Sequence, residues 1–84
     1  MNQEEIKQAF SRAGWELDSS FYNHLIIGYT EDLSILAYRD EWETDSPHFQ
    51  LCDHENDLSC WVRDIPTPQQ AAELLREHGQ PLDE

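Results

Sequence analysis

The stretch that decides the fold is "FYNHLIIGYTEDLSILAYR", residues 21–39, in which two apolar runs flank Glu31 and Asp32. Both runs are rich in β-branched and aromatic residues, and the short acidic break between them predicts two strands joined as a hairpin. If Glu31 and Asp32 form a two-residue loop, Thr30 faces Leu33 and the register of the hairpin is set.

This register predicts which residues share a face of the sheet. One face carries Leu25, Ile27, Tyr29, Leu36 and Tyr38, and the other carries Ile26, Gly28, Leu33, Ile35 and Ala37. Both faces are largely apolar, which is not the pattern of a sheet with one solvated side. If the helices of the domain cover one face only, an apolar patch of several hundred Å² remains on the other and marks an interface. The alternative is one helix on each face, which leaves nothing exposed.

The start of the chain carries the signals of a helix. Asn2, with Glu5 three residues later, has the pattern of a capping box, and Gly14 suits the left-handed position after a last turn. These signals predict a helix over residues 3–13. Its apolar stripe is expected at Ile6, Phe10 and Ala13.

The last helix is the element with the clearest signals. Thr67 caps it, Pro68 takes the first helical position, and Gln70 completes a second capping box. Gly79 ends it, and the proline that follows prevents continuation. The buried stripe is expected at Ala71, Leu74, Leu75 and His78.

A second hairpin is expected between these elements. The strands are "HFQLCD", residues 48–53, and "LSCWVRDI", residues 58–65, with the turn at residues 55–57, where Asn and Asp tolerate positive φ. The segment "DEWETDSP", residues 40–47, is expected to be a loop or a frayed strand extension. The predicted fold is a single small acidic α+β domain over residues 1–84. It has an N-terminal helix, a four-stranded antiparallel sheet of two hairpins and a C-terminal helix, with residues 80–84 as a frayed tail.

The segment "CDHENDLSC", Cys52 to Cys60, offers candidate metal ligands at unsuitable spacings. A calcium loop starting at Asp53 would have Leu58 where the sharp turn requires glycine. For zinc, extended chain would separate His48 from His54 by roughly 20 Å, too far for one ion. We therefore predict no metal and no cofactor.

The two cysteines are interpreted as free thiols. A disulfide requires Cys52 and Cys60 to face each other across the hairpin, and another register places Trp61 opposite Cys52. The favoured interpretation is that Cys60 packs in the core beside Leu58 and Val62, while Cys52 is partly covered. Cys52 with His54 is the obvious nucleophile and base pair, but same-face neighbours on a strand are about 6.5–7 Å apart at Cα, which is loose. We predict no catalytic residues.

The charge balance limits the partners. Eighteen Asp and Glu residues against five Lys and Arg give a net charge of −13. Nucleic acids and anionic membranes need clustered cations, so direct binding to either is not expected, whereas a basic protein partner is permitted. The start "MNQEEIKQAF" lacks the pattern of a signal peptide, and two cysteines without such a signal suggest a cytoplasmic protein.

The acidic segment "RDEWETD", residues 39–45, is the candidate binding region. Trp42 is surrounded by carboxylates that are costly to desolvate, and Trp is enriched at interface hot spots. The alternative is that Trp42 folds back over the sheet edge. The predicted partner-binding residues are Trp42, Asp40, Glu41, Glu43, Asp45, Tyr29 and Tyr38.

These observations favour a non-catalytic, cytoplasmic protein-interaction domain of adaptor or regulatory type, with an apolar sheet face and an acidic rim. Its partner is another protein or a second copy in a homodimer. One alternative is an acidic inhibitor, a nucleic-acid mimic or an immunity-type protein that binds a basic partner. A second is a small thiol- or metal-dependent enzyme. In size and composition the chain is similar to small acidic secretion chaperones and bacterial immunity proteins, but no motif carries that likeness.

Overall fold

The computed structural model describes residues 2–18 and 24–81, which form an α+β domain. The helices and strands are, in chain order, α1 Gln3–Ala13, β1 Glu16–Leu17, β2 Leu25–Thr30, β3 Leu33–Tyr38, α2 Arg39–Trp42, β4 Phe49–Asp53, β5 Leu58–Val62, α3 Pro68–His78 and β6 Gln80–Pro81. The sheet has the order β1-β2-β3-β4-β5-β6, and each neighbouring pair is antiparallel. The expected N-terminal helix, antiparallel sheet and C-terminal helix are confirmed, but the sheet has six strands and not four.

The two additional strands lie at the edges of the sheet. In β1, Glu16 is opposite Tyr29, and in β6, Gln80 is opposite Ser59. Each of these strands has only two residues, so neither is long enough to show alternation in the sequence. Short edge strands of this kind limit the exposed backbone of a sheet. Gln80 and Pro81, which were expected within a frayed tail, therefore form a strand, and residues 82–84 lie outside the described part of the chain.

The first hairpin has the predicted register. Thr30 is opposite Leu33, with Glu31 and Asp32 as the loop. The chain turns because Glu31 adopts a positive φ of 40°. The two predicted sets of residues therefore lie on opposite faces. The expected extension of the first strand over residues 21–23 falls outside the described residues.

The helix boundaries also follow the sequence signals. The Asn2 side chain accepts a hydrogen bond from the Glu5 N–H at 2.9 Å, and the Glu5 carboxylate accepts one from the Asn2 N–H at 2.8 Å. Thr67 and Gln70 make the same reciprocal pair at 3.2 and 3.1 Å. Each capping box satisfies N–H groups that the first turn of a helix leaves without a partner.

The helices contribute their buried side chains to one core cluster on one face of the sheet. The cluster consists of Ile6, Phe10, Trp15, Ile26, Ile35, Ala37, Trp42, Phe49, Leu51, Ala71 and Leu75. Helix α1 packs so closely on β2 that a Cβ at Gly28 would lie 3.1 Å from Phe10 Cδ2. His78, expected in the buried stripe of α3, is exposed, because the chain leaves the core at the end of that helix.

The segment after β3 is not the expected loop or strand extension. Residues 39–42 form the short helix α2, and its Trp42 is buried in the core cluster. A second tryptophan closes the cluster near α3, where the Trp15 Nε1–H donates to the Pro66 carbonyl at 2.8 Å. Both indoles thus fill the core between the sheet and the helices. Among the described helices, none has the length and apolar character needed to cross a membrane.

Candidate functional site

The face of the sheet opposite the core cluster is the candidate site. It carries six large apolar or aromatic side chains, and we call this set the open face: Leu25, Ile27, Tyr29, Leu36, Tyr38 and Trp61. Within residues 2–18 and 24–81, all three helices direct their buried residues to the other face. Of the two arrangements that the sequence permits, the structure therefore has the one that leaves a largely apolar face without a helix.

Two aromatic residues of the open face are strongly exposed. Tyr29 is 44% exposed and Trp61 is 52% exposed, whereas the aliphatic members are half-buried. The Trp61 ring lies 6.2 Å from the Tyr38 ring, centroid to centroid, with 36° between their planes. The Tyr38 hydroxyl in turn donates to Gln50 Oε1 at 3.2 Å, which fixes the ring. The open face thus offers aromatic surface that is already positioned.

Trp61 is the site residue that the sequence analysis missed. The signal is present in the sequence, because Cys60 and Val62 are predicted in or beside the core and strand residues alternate between faces. The structure confirms that Leu58, Cys60 and Val62 pack against the core cluster. Alternation then places Trp61 on the open face.

Three polar side chains, which we call the polar row, lie between the residues of the open face: Ser34, Cys52 and His54. Ser34 and Cys52 are directly opposite each other in β3 and β4, and Ser34 is 6% and Cys52 4% exposed. Ser34 Oγ lies 2.9 Å from Nε2 of His54. Burial raises the pKa of the Cys52 thiol, and a hydrogen bond with Ser34 partly offsets that increase. The Cys52 thiol is therefore protonated at neutral pH. The ring of His54 contacts Ser34.

The cysteines lie on opposite faces of the sheet and are both free. Cys52 is opposite Ser59, and Leu51 is opposite Cys60. Neither register considered from the sequence, with Cys52 opposite Cys60 or opposite Trp61, is therefore observed. Cys52 is also more deeply buried than the partly covered thiol that was expected. Burial raises the pKa of Cys60 as well. In the part of the chain that the structure describes, no three His, Cys, Asp or Glu side chains are grouped to hold a metal ion.

The predicted acidic binding region is divided by the fold. Trp42 is 1% exposed, so its ring is inside the core and away from any partner surface. Glu41 Oε1 lies 3.8 Å from His48 Nδ1, and Glu43 Oε2 lies 3.1 Å from Arg39 Nε. Asp40 and Asp45 are exposed. Of the predicted partner-binding residues, only Tyr29 and Tyr38 belong to the open face, and binding by the four carboxylates stays a prediction.

Trp42 is buried for a structural reason. The short helix α2 turns the chain immediately after Tyr38 and returns the indole to the core face. The neighbouring carboxylates are at the surface or half-buried, so burying the ring does not require burying them. The sequence gives no local sign of this turn, because a four-residue helix is too short for a periodic pattern.

A cavity of about 690 Å³ lies between the hairpin ends and α3. Its lining includes four carboxylates and one guanidinium, contributed by Glu31, Asp32, Asp53, Glu55 and Arg76. Asp53 is engaged by its own turn, since its carboxylate accepts from the N–H groups of Glu55 and Asn56 at 3.0 and 3.1 Å and from Asn56 Nδ2 at 2.9 Å. The Asn56 side-chain hydrogen bond is the main cause that lowers the pKa of Asp53. Its lining also includes Leu33, Leu58, Pro68 and Ala72. Its described lining has no aromatic side chain, so it is less suited to bind protein than the open face.

No known protein family, curated protein or solved structure matches this chain. Of the surfaces above, the open face combines exposed aromatic rings with the absence of a covering helix in the part of the chain that the structure describes. That combination is the strongest candidate for a binding site.

Proposed function

We propose that this domain is a non-catalytic protein-binding domain and that the open face is its interface. The observation that supports this proposal is the placement of all three described helices on the opposite face, with Tyr29 and Trp61 left 44% and 52% exposed. Contiguous apolar surface on a soluble domain usually marks an interaction site. Trp and Tyr are also among the residues that contribute most to the binding energy of interfaces.

The charge of the chain favours a basic partner. Glu16 is exposed and lies opposite Tyr29, so it borders the open face from the edge strand β1. The net charge of −13 extends the negative potential well beyond that one residue. A partner with a cationic rim around an apolar centre would be attracted, and its binding would weaken as salt is added. A second copy of this chain would bring the same charge, so we propose a different protein.

The polar row of Ser34, Cys52 and His54 on the open face supports a binding role over a catalytic one. Ser34 and Cys52 have little exposed surface, so a substrate would reach neither side chain without displacing its neighbours. The raised pKa of Cys52 disfavours the thiolate, which is the nucleophilic form of cysteine. A buried serine that contacts a histidine is adequately explained as a satisfied polar pair.

The test is affinity capture from an extract of the cells that make the protein, with quantified recovery. The wild-type domain is compared with a Tyr29→Ser/Trp61→Ser variant and with a control variant, Gln8→Ser/Gln69→Ser, which changes exposed residues of α1 and α3. Thermal melts establish that all three are folded. We expect a basic protein to be recovered by wild type and control and about tenfold less by the open-face variant, as loss of aromatic anchors predicts. Equal recovery by all three would contradict the proposal.

A further inference from the structure

The outer edge of β5 is only partly covered. Strand β6 pairs with Leu58 and Ser59 and stops there, so the second half of β5 has no neighbouring strand among the described residues. The direction of the backbone groups follows from the alternation of an antiparallel ladder. The His54 N–H donates to the Asp32 carbonyl at 2.8 Å, so the backbone of residue 54 is directed toward β3.

The alternation of backbone groups along β4, starting from the His54 hydrogen bond, gives the direction of the Trp61 N–H and C=O. Leu51 lies three positions before His54, so its N–H and C=O point toward β5, where it is opposite Cys60. Trp61, the next residue of β5, is opposite Gln50 and therefore points its N–H and C=O away from β4. The outer edge thus presents an N–H and a C=O beside the most exposed aromatic ring of the open face.

A groove of about 510 Å³ lies between the end of β5 and helix α3. Val62 and Leu74 contribute apolar surface to it, and Asp64, Glu73 and Glu77 contribute carboxylates. Arg63 is the cation among its described lining residues. This groove lies on the helix side of the sheet, since Val62 and Leu74 pack against the core cluster, whereas Trp61 lies on the open face. The free edge thus has an aromatic ring on one side and an acidic groove on the other.

We propose that an extended, cationic segment of the protein partner binds by adding as a strand beside β5 at Trp61. Strand addition joins backbone groups at a free sheet edge and places alternate side chains on opposite faces. Apolar side chains of the segment would contact Trp61, and lysine or arginine side chains would enter the groove toward Glu73 and Glu77. The inference rests on the proposed function and adds the mode of binding and the chemistry of the bound segment.

The probe is a short peptide in which lysine and valine alternate, with both ends blocked. Binding is followed by amide NMR of the whole chain. The readout is the rate at which the backbone N–H of Trp61 exchanges with solvent. We expect this exchange to slow when the peptide is added. A peptide with its central valine replaced by proline should bind about tenfold more weakly, because proline removes an N–H and cannot continue the added strand. A peptide in which glutamate and valine alternate should not bind.

The groove is tested with two variants of equal charge. Glu73→Gln/Glu77→Gln removes two carboxylates from the groove, and Glu4→Gln/Glu55→Gln removes two elsewhere. We expect the first variant to weaken the lysine–valine peptide several-fold more than the second. Equal weakening would show that only the net charge attracts the peptide and would overturn the role of the groove.

Four results would overturn strand addition itself. One is equal affinity for the proline peptide. Another is that a peptide shifts only side-chain signals of the open face and leaves exchange of the Trp61 backbone N–H unchanged. That result would still support the open face as the interface. The third is slow Trp61 exchange in a concentration-dependent dimer without peptide, which would assign the edge to a second copy. If no peptide binds, strand addition is also rejected, and the capture experiment alone decides the proposed function.

Discussion

Trp42 and Trp61 lie on opposite sides of the same sheet. Trp42 is 1% exposed among the helices, whereas Trp61 is 52% exposed on the face that those helices leave open. Burial of a large aromatic side chain contributes to folding, and an exposed one beside other apolar residues is available for binding. The two residues should therefore respond in opposite ways to substitution.

Replacing Trp42 by alanine should destabilise the domain by about 3–5 kcal/mol, because a fully buried aromatic side chain leaves a large cavity. Replacing Trp61 by alanine should change the stability by about 0.5 kcal/mol or less, as for most surface substitutions. Urea unfolding of both variants measures the difference. A larger loss for Trp61 than for Trp42 would show that the two rings are placed incorrectly.

The first hairpin provides a matched pair of glycine substitutions. Glu31 has a φ of 40°, a conformation that is strained for residues with a Cβ, whereas Asp32 does not have a positive φ. Glu31→Gly should stabilise the domain by about 0.5–1 kcal/mol, and Asp32→Gly should destabilise it by a similar amount because glycine is more flexible when unfolded. Thermal or urea unfolding gives both values. The same sign for both substitutions would contradict the loop conformation.

These predictions depend on a hairpin that the sequence already specifies. Thr30 faces Leu33 because the acidic break fixes the loop length, and period two then assigns every other residue of both strands to a face. The helix ends were equally predictable, since capping boxes and Gly14 act within a few residues of the chain. Local rules of this kind can be recognised from one sequence.

Features that depend on distant contacts were not predictable. Strands β1 and β6 form only because neighbouring strands offer them free edges, and two residues show no periodic pattern. Burial of Trp42 requires the turn of α2 and room for the indole in the core cluster between the helices and the sheet. The position of Ser59 opposite Cys52 depends on the length of the second hairpin loop, which several turn residues left open. Of the candidate site, Tyr29 and Tyr38 could be placed on one face in advance, but Trp61 was overlooked.

The cysteines should not form a bridge within the folded chain, because Cys52 and Cys60 lie on opposite faces of the hairpin. Treatment of the native protein with a mild thiol oxidant should leave both thiols free of an intramolecular disulfide. Mass spectrometry after alkylation in denaturant measures the product. A monomer that carries no alkyl group and is two hydrogens lighter than the reduced, unalkylated protein would contradict the observed register.

The same thiols should make stability depend on alkaline pH. Burial raises the pKa of Cys52 and of Cys60, so the fold favours the protonated form of each. This contribution is fully present below the unfolded pKa of about 8.5 and is lost as pH rises through the folded pKa. The melting temperature should therefore fall above about pH 8.5, and less steeply in a Cys52→Ala/Cys60→Ala variant. Parallel curves for the two proteins would count against this cause.

At acidic pH the relevant group is Asp53. The side-chain hydrogen bond from Asn56 is the main cause that lowers its pKa, so its stabilising contribution is present above the unfolded pKa of about 3.9 and is lost as pH falls toward the folded pKa. Asn56→Ala should raise the pKa of Asp53 and reduce stability at neutral pH more than at low pH. Carboxyl NMR titration gives the pKa directly. An unchanged value in the variant would exclude this hydrogen bond as the cause.

The central claim is that the open face is accessible in solution, and relaxation by a soluble gadolinium chelate tests it most directly. Ile26 and Ile27 are neighbours in β2 but point to the core and to the open face, and Trp42 and Trp61 form a second pair of this kind. In protein shown to be monomeric by sedimentation, we expect the chelate to relax the Ile27 methyl and Trp61 indole signals much more strongly than those of Ile26 and Trp42. Equal protection of both members of each pair would mean that the monomer covers the open face itself, and would contradict the account.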